Sequence, residues 1–333
     1  MNLYRGLPLS PSAVNTALAI GNFDGVHRGH QALLDALKAH AQPRDLNCAV
    51  MTFEPHPRSF FNPTTAPTRI STLRDRLHAL STHGVDTTFL LRFNKILASM
   101  SPQQFIEKLL VQTCKAKLVM VGEDFRFGAK RAGDVALLKT LASHYGFTIV
   151  TLSDVKENDA RISSSLVRNA LTSGDMPLAA ELLGRPYTIS GHVIHGAKLG
   201  RTLDFPTLNL RIEFDNPAAR GIFAVKVYGL AALPLNGVAS LGLRPSIDAT
   251  TQKKQGRWLL ETHVFDWKDS PAGSAYGKII RVELLKKLRD EEKYSDLPTL
   301  QAAISQDADN ARSFFHGAAI SSTDRIRVSN VTV

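Results

Sequence analysis

A chain of 333 residues that is 44% hydrophobic and 21% charged has enough apolar material for a sizeable core and length for about two domains, which excludes a disordered or fibrous class. No apolar run approaches the roughly 20 residues of a membrane-crossing helix, and the opening MNLYRGLPLSPSAVN lacks the apolar block of a secretion signal, so we expect a cytoplasmic protein with no membrane partner. The formal charge of +10 admits anionic partners, but the basic residues are scattered rather than gathered in a stripe, which favours small phosphorylated molecules over nucleic acid.

The first half alternates. TALAIG reads as strand, QALLDALKAHA as helix and LNCAVMTF as strand; LRDRLHAL then reads as helix before the strand VDTTFLLRF. The pattern continues with SPQQFIEKLLVQ before AKLVMVG and DVALLKTLASHYG before FTIVTLS. Short apolar strands separated by helices predict an α/β domain with a parallel sheet covered on both faces, and in such sheets ligands bind beyond the carboxyl ends of the strands. In the helix that opens near Ser101, Pro102 suits the first helical position, Ser101 and Gln104 form a capping box, and Phe105, Ile106, Leu109 and Leu110 recur at helical spacing. The two cysteines, Cys48 and Cys114, lie in or beside apolar runs with no metal-ligand spacing and read as buried free thiols.

Past LLGRPY, where Gly184 and Pro186 punctuate the chain, the texture changes to strands in series: YTISGHVIH, GIFAVKVYG, NGVASLG, RWLLETHVFDW and KIIRVELLKKL. Serial strands with turn signals between them predict an antiparallel barrel or sandwich. LPTLQAAISQDADNARSFF reads as a helix covering the barrel, and GAAISSTDRIRVSNVTV as a mobile tail. The expected division is 1–185, 186–316 and a tail over 317–333.

The stretch GNFDGVHRGH, from Gly21 to His30, sets two histidines among three glycines at a strand-to-helix junction. As a metal site it lacks the zinc-protease spacing and a nearby third ligand. As a purely structural feature, Gly21, Gly25 and Gly29 serve a tight turn. As a phosphate site, the junction aims backbone N–H groups and the positive end of a helix dipole at an anion, and imidazoles one turn apart donate to its oxygens. On the residues alone all three stay open.

GNFDGVHRGH resembles the histidine–glycine–histidine signature of nucleotidyltransferases. With TFEPHP (52–57), GEDFRFG (122–128) and ISSSLVR (162–168) following in order, the first half resembles the adenylyltransferase half of the bacterial bifunctional riboflavin kinase/FAD synthetases. The resemblance continues through GRTLDFPTLNL, GVASLGLRPS, LETHVFDW, YGKIIRVELLKKLRDEEKY and DADNAR, leaving only the tail uncovered. It implies a Rossmann-like nucleotidyltransferase domain that transfers AMP from ATP to FMN, giving FAD and pyrophosphate, and a barrel that moves the ATP γ-phosphate to riboflavin. Magnesium is the implied metal, and riboflavin, FMN and ATP the implied small-molecule partners.

Carried residue by residue, the resemblance gives His27 and His30 the triphosphate and Gly21, Asn22, Phe23 and Gly25 the adenylate pocket. Ser163, Ser164 and Arg168 fall to phosphate oxygens, and Asp124 and Phe125 to the flavin. In the barrel, Gly191 and Gly196 would let the nucleotide approach, with Lys198 and Arg201 supplying charge. Thr207 and Asn209 would bind magnesium and nucleotide, and Glu261 would be the base for the attacking hydroxyl. The residues lend partial support: Thr207 and Asn209, two apart in extended chain, face one way and offer oxygens to a hard cation. No phosphate-binding loop of the GxxxxGK[ST] type or protein-kinase motif occurs. Three positions depart from the family pattern: Asp204 stands where glycine is usual, Leu208 where alanine is, and Ser240 where asparagine is. Two other functions stay in play, an FAD synthetase whose barrel only binds flavin, and a non-catalytic nucleic-acid-binding protein.

Overall fold

The computed structural model describes residues 1–6, 11–152, 156–157, 160–196, 204–214, 216–247, 254–267 and 275–328. The chain forms two compact units, one of residues 1–67 with 76–164 and one of 68–75 with 165–333.

The first unit is built on a parallel sheet of strands β1 (Asn2–Arg5), β2 (Thr16–Ile20), β3 (Asn47–Glu54), β4 (Thr87–Arg92), β5 (Ala116–Gly122) and β6 (Thr148–Leu152), in the order β1-β4-β3-β2-β5-β6. Every neighbouring pair in it runs parallel. Alternate residues of each strand point to opposite faces, so the central strands feed two cores. Leu18, Met51 and Phe89 meet Ile106 and Leu110 on one face, while Ala17, Val50 and Leu118 meet Leu34 and Leu37 on the other.

Helix α1 (Arg28–Ala41) supplies Leu34 and Leu37 to that second core, and α2 (Pro57–Phe61) and α3 (Leu73–Thr82) follow β3. Helix α4 covers 102–113 and starts on the expected capping box, with Gln104 N donating to Ser101 Oγ and Ser101 N to Gln104 Oε1, both at 3.1 Å. Its four apolar residues are buried, and from Phe105 onward it winds wider, so that Cys114 N bonds back to Leu109 O. Helix α5 (Val135–Tyr145) precedes β6. Both cysteines are free and buried, and burial raises both thiols, Cys48 to about 11. The edge strand β1 was not anticipated, because NLYR carries no apolar alternation and its pairing comes from β4.

The second unit is a closed antiparallel barrel of β7 (Thr188–Ile194), β8 (Leu208–Arg211), β9 (Gly221–Tyr228), β10 (Leu235–Ile247), β11 (Lys254–Val264) and β12 (Ile279–Arg289), in the order β7-β8-β11-β10-β9-β12. Leu208, Leu210, Val225, Leu241, Leu260 and Val282 fill it. Leu208 thus has an interior to fill, which accounts for a larger side chain at that departure from the family. On the outer surface Ile222, Ala224 and Val238 pack against Ala308 and Ala311 of the last helix, α8 (Leu297–Val328). Arg289 fixes that helix by a bidentate pair, Nε and Nη2 donating to the two Asp307 oxygens at 2.8 and 2.7 Å. The motif DADNAR therefore has a structural use. Of the expected tail, 317–328 continue this helix, and 329–333 lie outside the described residues.

Two short helices, α6 (Ser164–Ser173) and α7 (Met176–Leu183), cluster almost wholly with the barrel, as does the segment 68–75. That segment is stitched in by backbone: Arg69 N donates to Asn216 O, Ala218 N to Arg69 O, and the buried Tyr187 hydroxyl to Ile70 O. Asp75 accepts from Ser190 N and the Thr72 hydroxyl, and burial raises its carboxyl above the usual carboxylate range. The compact units therefore divide the chain elsewhere than at 185.

Candidate active sites

In the sheet, the chain steps outward from β2 through β3 and β4 and then returns to the other side of β2 with β5. The strand order reverses there, and the crevice beyond the carboxyl ends at such a switch point is where open α/β sheets bind ligands. The loop that leaves β2 at this point is Gly21 to His27, and it winds through positive φ at Phe23 (50°), Gly25 (83°) and Val26 (43°).

This winding folds the loop back over the start of α1. His27 is the N-cap residue and makes no side-chain cap bond to the helix, whose first turn holds no acidic residue. Its ring, 5% exposed as a residue, stacks on His30 at 3.8 Å between centroids, and His30 in turn lies 4.9 Å from Phe23. Gly29 makes this possible: a Cβ there would meet Ile162 O at 3.0 Å and the His27 ring at 3.2 Å. The glycine at 29 is thus a packing requirement, not a turn.

Groups from neighbouring strands clamp the loop. The Thr52 hydroxyl donates to Asn22 O at 3.0 Å, and the buried Arg76 reaches Asn22 O at 3.1 Å and Glu54 Oε2 at 2.5 Å. Arg76 thereby ties GNFDG to TFEPHP, a role no spacing in the sequence announced. From ISSSLVR, the Ser164 hydroxyl donates to Asp24 O at 3.4 Å, with half-buried Ser163 beside it. Arg168 falls in the other compact unit, where its Nε donates to Thr68 O at 2.6 Å.

Also at the carboxyl edge, Phe125 after β5 stacks on Phe127 at 5.6 Å, and Asp124 is exposed. After β3 and β4, Phe60, Phe61 and Phe93 form edge-to-face contacts at 5.3 to 5.6 Å. Phe61 is 67% exposed, more than any core role explains. The sequence offered only PRSFF and a lone phenylalanine here. Their convergence needs the sheet.

In the barrel, Leu260, Thr262 and Val264 point inward, so Glu261 and His263 lie on the outer face. Register sets Glu261 directly opposite Asn209 on one side and Ser240 on the other, which puts all three on that face. Asn209 is nevertheless 5% exposed, and its Oδ1 is buried with no hydrogen-bond partner among the described residues. Gly196 borders this amide so closely that a Cβ would fall 2.4 Å from Asn209 Nδ2. Thr207 stands just before β8, half-buried, and its carbonyl is 3.5 Å from Asn209 Nδ2. By contrast Gly191 has ordinary contact distances, 3.4 Å to Leu210. Lys198 and Arg201 lie outside the described residues.

Glu261 Oε2 accepts from Arg244 Nε at 2.7 Å, and its Oε1 accepts no hydrogen bond from the described residues. The cross-strand guanidinium, not the same-strand neighbours Leu259 and His263, is its charged partner. Burial works against the Arg244 charge, but Glu291 and Glu261 more than offset it and raise the group above the usual arginine range. His263 Nδ1 lies 2.9 Å from Pro206 O, which closes the chain before β8 over this face.

Asp204 has φ of +62° and is exposed, so the position does take the left-handed backbone that glycine favours, with its carboxylate at the surface. Asp204→Ala should lower stability by about 1 kcal/mol and Asp204→Gly should not, since aspartate tolerates this backbone better than alanine. Denaturant unfolding of both variants checks this; equal stabilities would remove the backbone argument.

Among the described residues, no three His, Cys, Asp or Glu side chains form a metal-binding group, and no helix is long and apolar enough to cross a membrane. Two family models match the chain, FAD synthetase over residues 10–166 and riboflavin kinase over 183–315. The bifunctional riboflavin kinase/FMN adenylyltransferase of Escherichia coli (strain K12) is 42% identical over 317 residues, covering 95% of this chain and 98% of that protein. The protein of the same description from Haemophilus influenzae is 39% identical, covering 95% of this chain and 100% of its own. Among solved structures, one described as a macrolide-efflux protein from Streptococcus pneumoniae superposes with a TM-score of 0.69 at 26% identity, covering 91% of this chain and 95% of that one.

Proposed function

From its membership of the bifunctional riboflavin kinase/FMN adenylyltransferase family, to which this chain belongs, we propose which residues serve each of its two reactions. The chain phosphorylates riboflavin to FMN with ATP and adenylylates FMN to FAD with release of pyrophosphate. We assign adenylyl transfer to 1–185 and the kinase to 186–316, with the remainder as a tail. The observation that carries this is that the His27–His30 stack and the Asn209–Glu261 pair fall on separate compact units, each under its own family model.

For adenylyl transfer, His27 and His30 donate to the ATP phosphates at the start of α1, where the helix dipole also favours anions. Gly21, Asn22, Phe23 and Gly25 shape the adenylate pocket, with Ser163 and Ser164 on the departing pyrophosphate. No covalent intermediate is needed: the FMN phosphate attacks the α-phosphorus in line, and catalysis comes from positioning and charge stabilisation. Asp124 and Phe125 border the flavin. The cluster of half-buried Phe60 and Phe93 with exposed Phe61 is a second candidate for its ring, because a flat aromatic ligand suits such a platform.

For the kinase, magnesium fits the residues present. The buried Oδ1 of Asn209, which has no hydrogen-bond partner among the described residues, is a hard oxygen donor beside Thr207, with Gly196 close against the same amide. When bound, magnesium supplies charge neutralisation to the ATP phosphates. Glu261 takes the proton of the terminal ribityl hydroxyl on Oε1, which accepts no hydrogen bond from the described residues, as the ribityl oxygen attacks the γ-phosphorus and ADP departs. Gly191, Lys198 and Arg201 complete the nucleotide loop. The riboflavin kinase model spans Thr207, Asn209 and Glu261, so a barrel that only binds flavin is not favoured. We place both reactions in the cytoplasm, with small-molecule partners and no nucleic acid. The free, buried cysteines and scattered basic residues support this.

A time course of purified protein with riboflavin, ATP and magnesium, followed by flavin chromatography, tests the reading. FMN should appear first and FAD after it. FAD from added FMN with none from riboflavin would remove the kinase assignment.

A further inference from the structure

Arg244 stands at the centre of a polar network on the outer face of the barrel. Its Nε donates to Glu261 Oε2 at 2.7 Å, one terminal nitrogen to Glu291 Oε1 at 2.6 Å and the other to the Ser240 hydroxyl at 2.7 Å. The Ser240 hydroxyl in turn donates to Glu291 Oε1 at 3.1 Å, which closes a ring. A guanidinium held on all its nitrogens has one plane and one orientation, so the carboxylate on its Nε edge is aimed rather than merely neutralised.

Two features show that the chain is shaped around this network. Ser240, Gly242 and Arg244 share the outer face of β10, and a Cβ on Gly242 would fall 1.9 Å from Glu291 Oε1. Only glycine there lets Glu291, which follows β12, lie across β10 and reach Arg244. Ser240 acts as both acceptor and donor, so its short side chain suffices to complete the ring. Stability is a weak explanation, because the three charged side chains are each 29 to 32% exposed and ion pairs at that exposure contribute little.

We propose that Arg244 is a positioning residue for riboflavin phosphorylation, anchored by Glu291 over Gly242 and holding Glu261 by one oxygen so that the other faces the attacking hydroxyl. The proposal rests on Glu261 being the base. A lysine at 244 keeps the charge but not the planar three-way hold, so Arg244→Lys should lower the kinase kcat by about 10- to 100-fold with the riboflavin KM little changed. Gly242→Ala, which removes no charge, should give the same pattern by displacing Glu291.

The decisive measurement is a cycle of kinase kcat values for wild type, Arg244→Gln, Glu261→Gln and the double variant, with the denaturant unfolding curve and the riboflavin KM of each preparation as the folding control for the barrel. If Arg244 acts through Glu261, the double variant is no slower than Glu261→Gln alone. Losses that multiply in the double variant, or a wild-type kcat in Arg244→Lys, overturn the proposal while leaving the base in place. A wild-type kcat in Glu261→Gln overturns the base assignment and the proposal with it. Should the Arg244 variants lose the folding control, Gly242→Ala decides: reduced kinase kcat with a wild-type unfolding curve and riboflavin KM supports the proposal, and unchanged kcat overturns it.

Discussion

Replacing His30 by alanine is expected to lower FAD formation from FMN by roughly 100- to 1,000-fold, the usual cost of removing one donor aimed at developing charge. Riboflavin phosphorylation by the same preparation should be unchanged, because Asn209 and Glu261 belong to the other compact unit. His30 is a better test than His27. Its residue is only half-buried, whereas His27 is 5% exposed and sits against the place where Gly29 lacks a side chain, so removing it would disturb packing as well as chemistry. His30→Asn, which keeps an N–H donor but shortens its reach, should recover part of the rate. An FAD rate within about threefold of wild type in His30→Ala would show that helix dipole and backbone N–H groups carry the phosphates without it. Loss of both activities would mean misfolding, and unfolding curves would reveal it.

How far the sequence disclosed this site follows from the range of the interactions. The strand–helix alternation and the capping box at Ser101 are local, and the structure has them where the residues put them. The His27–His30 pair is local too. In the sequence a tight turn is one of three open uses for Gly29, because a close approach to Ile162 is invisible until the chain has folded back. Arg76 looked like any helix arginine. It is 1% exposed only because β2 and β3 deliver Asn22 and Glu54 to it. The segment 68–75 carries no compositional mark of belonging to the barrel, since its bonds run largely through backbone groups. Arg244 was hidden for the same reason. Its partner Glu291 is 47 residues away, and only the barrel register brings Glu261 alongside.

Glu261→Gln should reduce riboflavin phosphorylation by roughly 100- to 10,000-fold in kcat, the range that a positioned general base contributes. Glutamine is nearly isosteric, and its amide oxygen can still accept from Arg244 Nε, so the barrel geometry survives while the proton acceptor does not. The KM values for riboflavin and ATP should therefore stay close to wild type, and FAD formation from added FMN should be untouched. Kinetics at saturating ATP and magnesium separate these quantities. Phosphoryl transfer leaves room for the opposite result, because its loose transition state depends more on positioning and charge than on proton removal. A kcat within about threefold of wild type would mean that the hydroxyl loses its proton late and to solvent. The work of the outer face would then lie with Thr207, Asn209 and the loop before them, and a carboxylate held by Arg244 would be part of the wall that orients riboflavin.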